Sequence, residues 1–116
     1  MQIASWNVNS VRTRLDHVLN WLEHSEVDLL ALQETKVDDP QFPLEPFRQR
    51  GYQVQFYGQK AYNGVALISR TPVEDVRMGF SAELIDDAQA EELSAQKRVI
   101  SALIDGGRVV NLYVPN

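Results

Sequence analysis

Gln2 to Trp6 opens the chain as a short, apolar, strand-like run that Asn7-Val8-Asn9-Ser10 interrupts. Beyond the break, Val11, Leu15, Val18, Leu19 and Leu22 recur at the spacing of one α-helical face. Ser10 stands where an N-cap belongs, and the helix is expected to end near Ser25. Asp28 to Gln33 (DLLALQ) is a near-continuous apolar run of strand length. Such a run, lacking alternation, reads as a strand covered on both faces. Strand, helix and strand of these lengths form a βαβ unit, with the helix as crossover.

Asp38-Asp39-Pro40 is loop, and Pro43 to Arg50 predicts a short helix stopped by Gly51. From Gly51 the period falls to two. Tyr52, Val54 and Phe56 alternate with Gln53, Gln55 and Tyr57, the signature of a half-buried strand. Tyr62-Asn63-Gly64 follows as loop, then the apolar strand Val65 to Ser69. Arg98 to Ile104 and Arg108 to Val114 predict two more strands, joined by Asp105-Gly106-Gly107, a tight-hairpin signal. Between these groups, residues 81–96 are acidic and alanine-rich, helical by propensity, with an acidic loop as the alternative. The tally is about six strands and two or three helices, an α/β unit without repeat or linker. Its end at Asn116, directly after a strand, suggests a truncated domain.

Composition changes this picture little. A chain of 116 residues is of single-domain size and buries roughly two thirds of its unfolded surface. Apolar residues at 44% and charged residues at 23% are ordinary globular usage, which argues against disorder. The net charge of −5 argues against a protein that coats nucleic acid by electrostatics alone. It leaves room for a metal-dependent enzyme, in which bound cations supply the local positive charge. The absence of cysteine excludes disulfides and thiolate metal sites. His17 and His24 lie in the helical stretch and read as partly exposed helix surface. MQIASWN has no basic n-region and no long apolar run, so neither a signal peptide nor a membrane span is expected, and a cytoplasmic protein is.

Candidate chemistry lies at strand ends. Asn7, Glu34 and Tyr113 each fall at or near the carboxyl end of a predicted strand, where open α/β sheets gather ligands. Glu34 is the sharpest of them, because a carboxylate ending a buried strand needs a partner. It reads either as a loop glutamate that caps a helix or pairs with Lys36, or as the ligand of a hard cation. Magnesium often takes one or two carboxylates and keeps its waters. Trp6 and Trp21 could stack on bases, but their places beside the strand and the apolar helix face favour core packing.

Five strings carry a family resemblance: Ser5-Trp6-Asn7-Val8-Asn9, Leu32-Gln33-Glu34-Thr35-Lys36, Tyr62-Asn63-Gly64-Val65-Ala66, Arg98-Val99-Ile100, and Asn111-Leu112-Tyr113-Val114-Pro115-Asn116. In order and in spacing they resemble the motifs of the exonuclease III / abasic-site endonuclease family, within the endonuclease/exonuclease/phosphatase superfamily. That resemblance implies a four-layer αββα sandwich, of which residues 1–116 would form the amino-terminal half. The half is expected to be one mixed sheet with a helix layer on one face. Its inner face would then be bare, and a symmetric homodimer through that face is expected.

The resemblance also implies roles. Glu34 would be the principal ligand of Mg2+ (or Mn2+), with Asn7 organising the metal site and Asn9 near the metal's waters. Tyr113 would place its phenol on the scissile phosphate. Arg12, Lys36, Tyr62, Asn63 and Gly64 would face DNA, and Asn116 would line the phosphate pocket. The implied reaction is hydrolysis of the phosphodiester 5′ to an abasic site in double-stranded DNA, with 3′-to-5′ exodeoxyribonuclease action at 3′ ends, in base excision repair. No membrane partner is implied. The family's Asp-x-Asn motif, further Asp and late His are not found among the 116 residues, so the chain alone is expected to be inactive. Two other readings belong to the same fold, a non-catalytic nucleic-acid-associated regulator and a superfamily phosphatase. Glu34 with Tyr113 argues against the first, and the Tyr-x-Pro-Asn ending against the second.

Overall fold

A computed structural model describes residues 1–79 and 97–113. The stretch 81–96, expected as helix or acidic loop, lies outside the described residues, as does the end of the last predicted strand with Asn116. The first sheet contains β1 (Ile3–Asn7), β2 (Leu29–Gln33), β3 (Gln53–Tyr57) and β4 (Val65–Ser69), in the order β1-β2-β4-β3. β1 and β2 are parallel, joined by the crossover helix α1 (Leu15–His24), and the other pairs are antiparallel. The predicted βαβ unit is therefore present, and the sheet is mixed.

Period-two alternation decides which side chains go where. Leu30 and Leu32 of β2, with Ala66 and Ile68 of β4, bury against Val18, Leu19 and Leu22 of α1 and against Phe47 of α2 (Leu44–Arg48). Leu29, Ala31, Val65 and Leu67 face the other way and are just as buried. The continuous apolarity of β2 thus reports two covered faces, as expected.

What covers the second face was not expected. β5 (Glu74–Met78), β6 (Val99–Ile104) and β7 (Gly107–Leu112) form a separate antiparallel sheet of order β5-β6-β7. Its Ile100, Ala102 and Ile104 pack onto the inner face of the first sheet. The expectation of a single sheet with a bare inner face is corrected, and with it the homodimer. The face that was to recruit a second copy is occupied within the chain. The physical cause is the two-residue turn Asp105-Gly106, with φ of 49° and 77°, which returns β7 along β6 in the register Ile104↔Gly107. Positive φ at both central positions is the type I′ geometry that suits hairpin twist. β5 escaped prediction because only Val76 of its five residues is even partly buried.

α1 begins later than its apolar period does. Ser10 caps a preceding turn instead, its Oγ accepting the Thr13 N–H at 3.3 Å and its carbonyl the Arg14 N–H at 3.1 Å. His17 and His24 are exposed on the helix. Trp6 is half-buried and meets Trp21 edge-on at 6.1 Å, but Trp21 is 37% exposed and borders the core without filling it. No helix among the described residues is long and apolar enough to cross a membrane.

Candidate active site

Because β1 and β2 are parallel, Asn7 and Gln33 end their strands side by side. The two chains stay together past those ends, through Val8 N–H to Gln33 O (3.0 Å), Ser10 N–H to Glu34 O (2.8 Å) and Val11 N–H to Thr35 O (3.0 Å). On the other flank, Thr35 N–H donates to Gly64 O (3.2 Å) and Lys36 N–H to Asn63 O (2.9 Å). Gly64 N–H then donates to Lys97 O (3.0 Å), and Tyr113 N–H to Arg98 O (2.8 Å). Backbone bonds thus lace every motif that carried the resemblance into one rim.

Glu34 sits at the centre. Its φ of 55° turns the chain out of β2 and leaves the side chain 21% exposed, part-sheltered beside β7. The Tyr113 phenol donates a hydrogen bond to Glu34 Oε1. Lys36 Nζ lies 4.0 Å from Glu34 Oε2 and donates to Asn9 Oδ1, while Asn9 N–H donates to Asn7 Oδ1 at 3.2 Å. Asn7 therefore joins the pair indirectly, through Asn9 and Lys36. The pairing with Lys36 expected of Glu34 is present, and its other oxygen faces Tyr113 on the strand-end rim.

The hydrogen bond to the Glu34 carboxylate raises the Tyr113 phenol above its ordinary value, burial and the carboxylate charge add to this, and Arg98 opposes it. A phenol so placed keeps its proton at neutral pH and acts as a donor. Among the described residues no three His, Cys, Asp or Glu side chains cluster in a metal cage. One carboxylate with neighbouring amide oxygens suits a hydrated magnesium ion and not a zinc-type centre.

The other predicted residues fall on the same rim with different exposure. Arg12 is exposed on the turn before α1, and Tyr62 is 61% exposed on the β3–β4 loop. Asn63 and Gly64 are fixed by the backbone bonds above. Gly64 has φ of 92°, and a Cβ there would meet Thr35 Oγ1 at 2.1 Å, so only glycine fits. Asn116 lies outside the described residues.

Charge is distributed unevenly. Away from the rim, Arg48, Arg50, Arg77 and Arg108 pair with Glu45, Glu23 and Asp75. On the rim, Arg12, Arg14 and Lys60 form no ion pair with another described residue, and Lys97 lies over the Tyr57 ring at 3.9 Å.

Three residues at the site stand within the motif strings but were assigned no role there: Gln33, Arg98 and Asn111. Asn111 carried a signal, a polar amide within the apolar run Val109 to Val114.

Two stacked sheets with polar strand ends gathered at one rim define an α/β sandwich protein whose candidate site lies at the carboxyl ends of its strands. Residues 4–108 match the Endonuclease/Exonuclease/phosphatase family, and the chain belongs to it. It is 34% identical over 119 residues to exodeoxyribonuclease III of Haemophilus influenzae, covering 99% of this chain but 42% of that protein. The exodeoxyribonuclease of Bacillus subtilis is 31% identical over 118 residues, with 100% of this chain and 43% of the relative covered. Among solved structures, an AP endonuclease from Archaeoglobus fulgidus superimposes with a TM-score of 0.84 at 43% identity, over 99% of this chain and 42% of its own. The 3′-5′ exonuclease NExo from Neisseria meningitidis gives 0.85 at 42% identity, over 97% and 41%. The chain spans well under half the length of each relative.

Proposed function

We propose that a full-length protein carrying this chain is a divalent-metal-dependent DNA-repair phosphodiesterase. It hydrolyses the phosphodiester 5′ to abasic sites in double-stranded DNA and degrades DNA from 3′ ends. The observation that carries this reading is the contact of Glu34 with Tyr113, a carboxylate and a protonated phenol from two sheets meeting at the strand ends. The names of the relatives, exodeoxyribonuclease and AP endonuclease, supply the substrate class.

Glu34, with Asn7 linked to it through Asn9 and Lys36, would hold Mg2+ or Mn2+. Bound there, the ion supplies Lewis-acid stabilisation of charge on the phosphate and leaving oxygens. The phenol of Tyr113 transfers its hydrogen bond from Glu34 to a phosphate oxygen of the scissile bond. Arg12 and Lys36 attract the DNA backbone, and Tyr62, Asn63 and Gly64 form the loop that meets the duplex. Asn116 extends the phosphate pocket. Within these 116 residues no Asp-x-Asn and no late His supplies a group to activate water, so the chain alone is inactive.

The test is cleavage of a synthetic abasic duplex in magnesium. Glu34→Gln and Tyr113→Phe in the full-length protein are each expected to lower kcat by about 100-fold or more, the scale for removing one group that stabilises transition-state charge. Isothermal titration with Mn2+ should show binding weakened by Glu34→Gln and kept by Tyr113→Phe. Wild-type turnover by Glu34→Gln would sink the assignment, as would brisk cleavage by the 116-residue chain alone for its inactivity.

A further inference from the structure

Beneath the Glu34–Tyr113 contact lies a second layer of polar side chains that this chemistry does not use. Asn111 is 3% exposed, between the sheets. Its Nδ2 donates to Leu32 O and to Ala66 O, both at 2.8 Å, and its Oδ1 accepts from Gln33 Nε2 at 2.8 Å. Gln33 Nε2 also lies 3.0 Å from Ser5 Oγ, an acceptor on β1. Ser5 stands two residues before Asn7, Gln33 one before Glu34, and Asn111 two before Tyr113. One network therefore joins the strands that end in the three candidate site residues.

We propose that the Gln33–Asn111 bridge is a positioning device that sets the Tyr113 phenol on Glu34. This rests on the function proposed above, because it assigns the bridge to that same site.

Position along the chain supports it. Val109, Asn111 and Tyr113 share the inward side of β7 and its extension, with Val109 and Tyr113 packed against the inter-sheet cluster. An apolar residue at 111 would fill that row without removing an amide from water. Apolar packing, however, tolerates sliding along the strand axis, whereas two hydrogen bonds to opposed carbonyls do not. Leu32 and Ala66 are direct partners in the β2–β4 register, so Asn111 pins β7 against a fixed mark on both strands. Tyr113 lies about 6.5 Å further along, two strand residues on. A slip of about 1 Å at the pin moves the phenol off the carboxylate, and misplacement of that size costs about 100-fold in rate elsewhere. Both Nδ2 donors and the Oδ1 of the Asn111 amide have partners, the condition under which a buried polar network specifies one arrangement.

Two near-isosteric variants, Asn111→Leu and Gln33→Met, and their double, test the device. In the full-length protein each single variant is expected to lower kcat about 10- to 100-fold with KM within about two-fold. The double variant should be no slower than the slower single, because one bridge is removed once. In the 116-residue chain, the nuclear Overhauser contact between the Tyr113 ring protons and the Glu34 γ-methylene should vanish in Asn111→Leu. A structural role alone would shift the unfolding midpoint and leave kcat and that contact intact; this outcome overturns the proposal. A change confined to KM overturns it too. If the unmodified full-length protein does not cleave DNA, the functional reading fails, and the Overhauser contact still decides the positioning. Should Asn111→Leu not fold, Gln33→Met, on the half-buried partner, decides the matter through the same two readouts.

Discussion

Replacing Gly64 with alanine asks how tightly the loop bearing Glu34 is held. Gly64 has φ of 92°, and a Cβ built on it falls 2.1 Å from Thr35 Oγ1 and 3.4 Å from both Thr35 Cβ and Lys36 N. Thr35 is 1% exposed, and its backbone is bonded on both sides, so it has little room to retreat. The left-handed backbone alone costs about 1–2 kcal/mol for a residue with a Cβ. Overpacking a buried site adds about 1–3 kcal/mol. Together these make roughly 2–5 kcal/mol, against a typical domain stability of about 5–15 kcal/mol. Gly106 is the control: its φ is 77°, but nothing lies within 4 Å of its Cβ position, so Gly106→Ala bears the backbone cost only. Urea unfolding followed by Trp6 and Trp21 fluorescence should rank Gly64→Ala well below Gly106→Ala. Adding Thr35→Ala to Gly64→Ala should recover the packing share and leave the backbone share. Equal losses at the two glycines, or strict additivity of Thr35→Ala with Gly64→Ala, would refute the reasoning.

Two further predictions concern the end of the molecule remote from Glu34. Arg70 donates to Val27 O (2.8 Å), Leu22 O (3.1 Å) and Ser25 O (2.7 Å), closing the carboxyl end of α1, and its guanidinium lies 5.5 Å from the Tyr52 ring centroid. Arg70→Lys, which cannot fork to three carbonyls, should cost about 1–3 kcal/mol in urea unfolding despite keeping the charge; an unchanged midpoint contradicts the clamp. Asp75 is held below its ordinary 3.8 by the hydrogen bond from Arg77, then by the charges of Arg77 and Arg108. A depressed carboxyl stabilises the fold above its unfolded pKa and loses that contribution as pH falls through the folded value. The stability gap between wild type and Asp75→Asn should therefore be full at pH 7, shrink below about pH 4 and narrow in 1 M salt. A gap that widens in acid would contradict this.

The parts of the fold legible in the sequence are those whose burial leaves a period. β2 and β4 are buried along their length, and their unbroken apolarity announced two covered faces. The same reading should have warned against a bare inner sheet, since a strand buried on both sides needs a layer on each. What hid that layer was β5, whose EDVRM offers one partly buried residue, together with the reach of β6 and β7 across the sequence. Periodicity reports how deep a residue lies and not which distant strand covers it. The candidate site was legible as residue types at strand ends, and Glu34 with Tyr113 do meet. Asn7 was expected beside them and instead connects through Asn9 and Lys36. Gln33 and Asn111 stood within the motif strings, but their bridge did not show, because an amide in a strand has no period that names its partner.

The rim explains why its residues are of these kinds. Seven of the nine non-glycine residues with positive φ among the described residues lie on it: Asn9, Ser10, Glu34, Lys36, Ala61, Asn63 and Lys97. Each such backbone costs on the order of 1–2 kcal/mol, and local preference favours none of them beyond the two asparagines. The loops must therefore be held by what lies under them. Val8, Val11, Thr35 and Val37 are each no more than 1% exposed, and they alternate with Asn9, Arg12, Lys36 and Asp38, which face outward. The strained, polar residues are mounted between anchors that the core keeps in place. Strain persists at a site when its surroundings over-determine it. Here the determining groups are buried side chains, Val8, Val11, Thr35 and Val37, one residue from Asn9, Ser10, Glu34 and Lys36, so the geometry around Glu34 is a property of the core as much as of the rim.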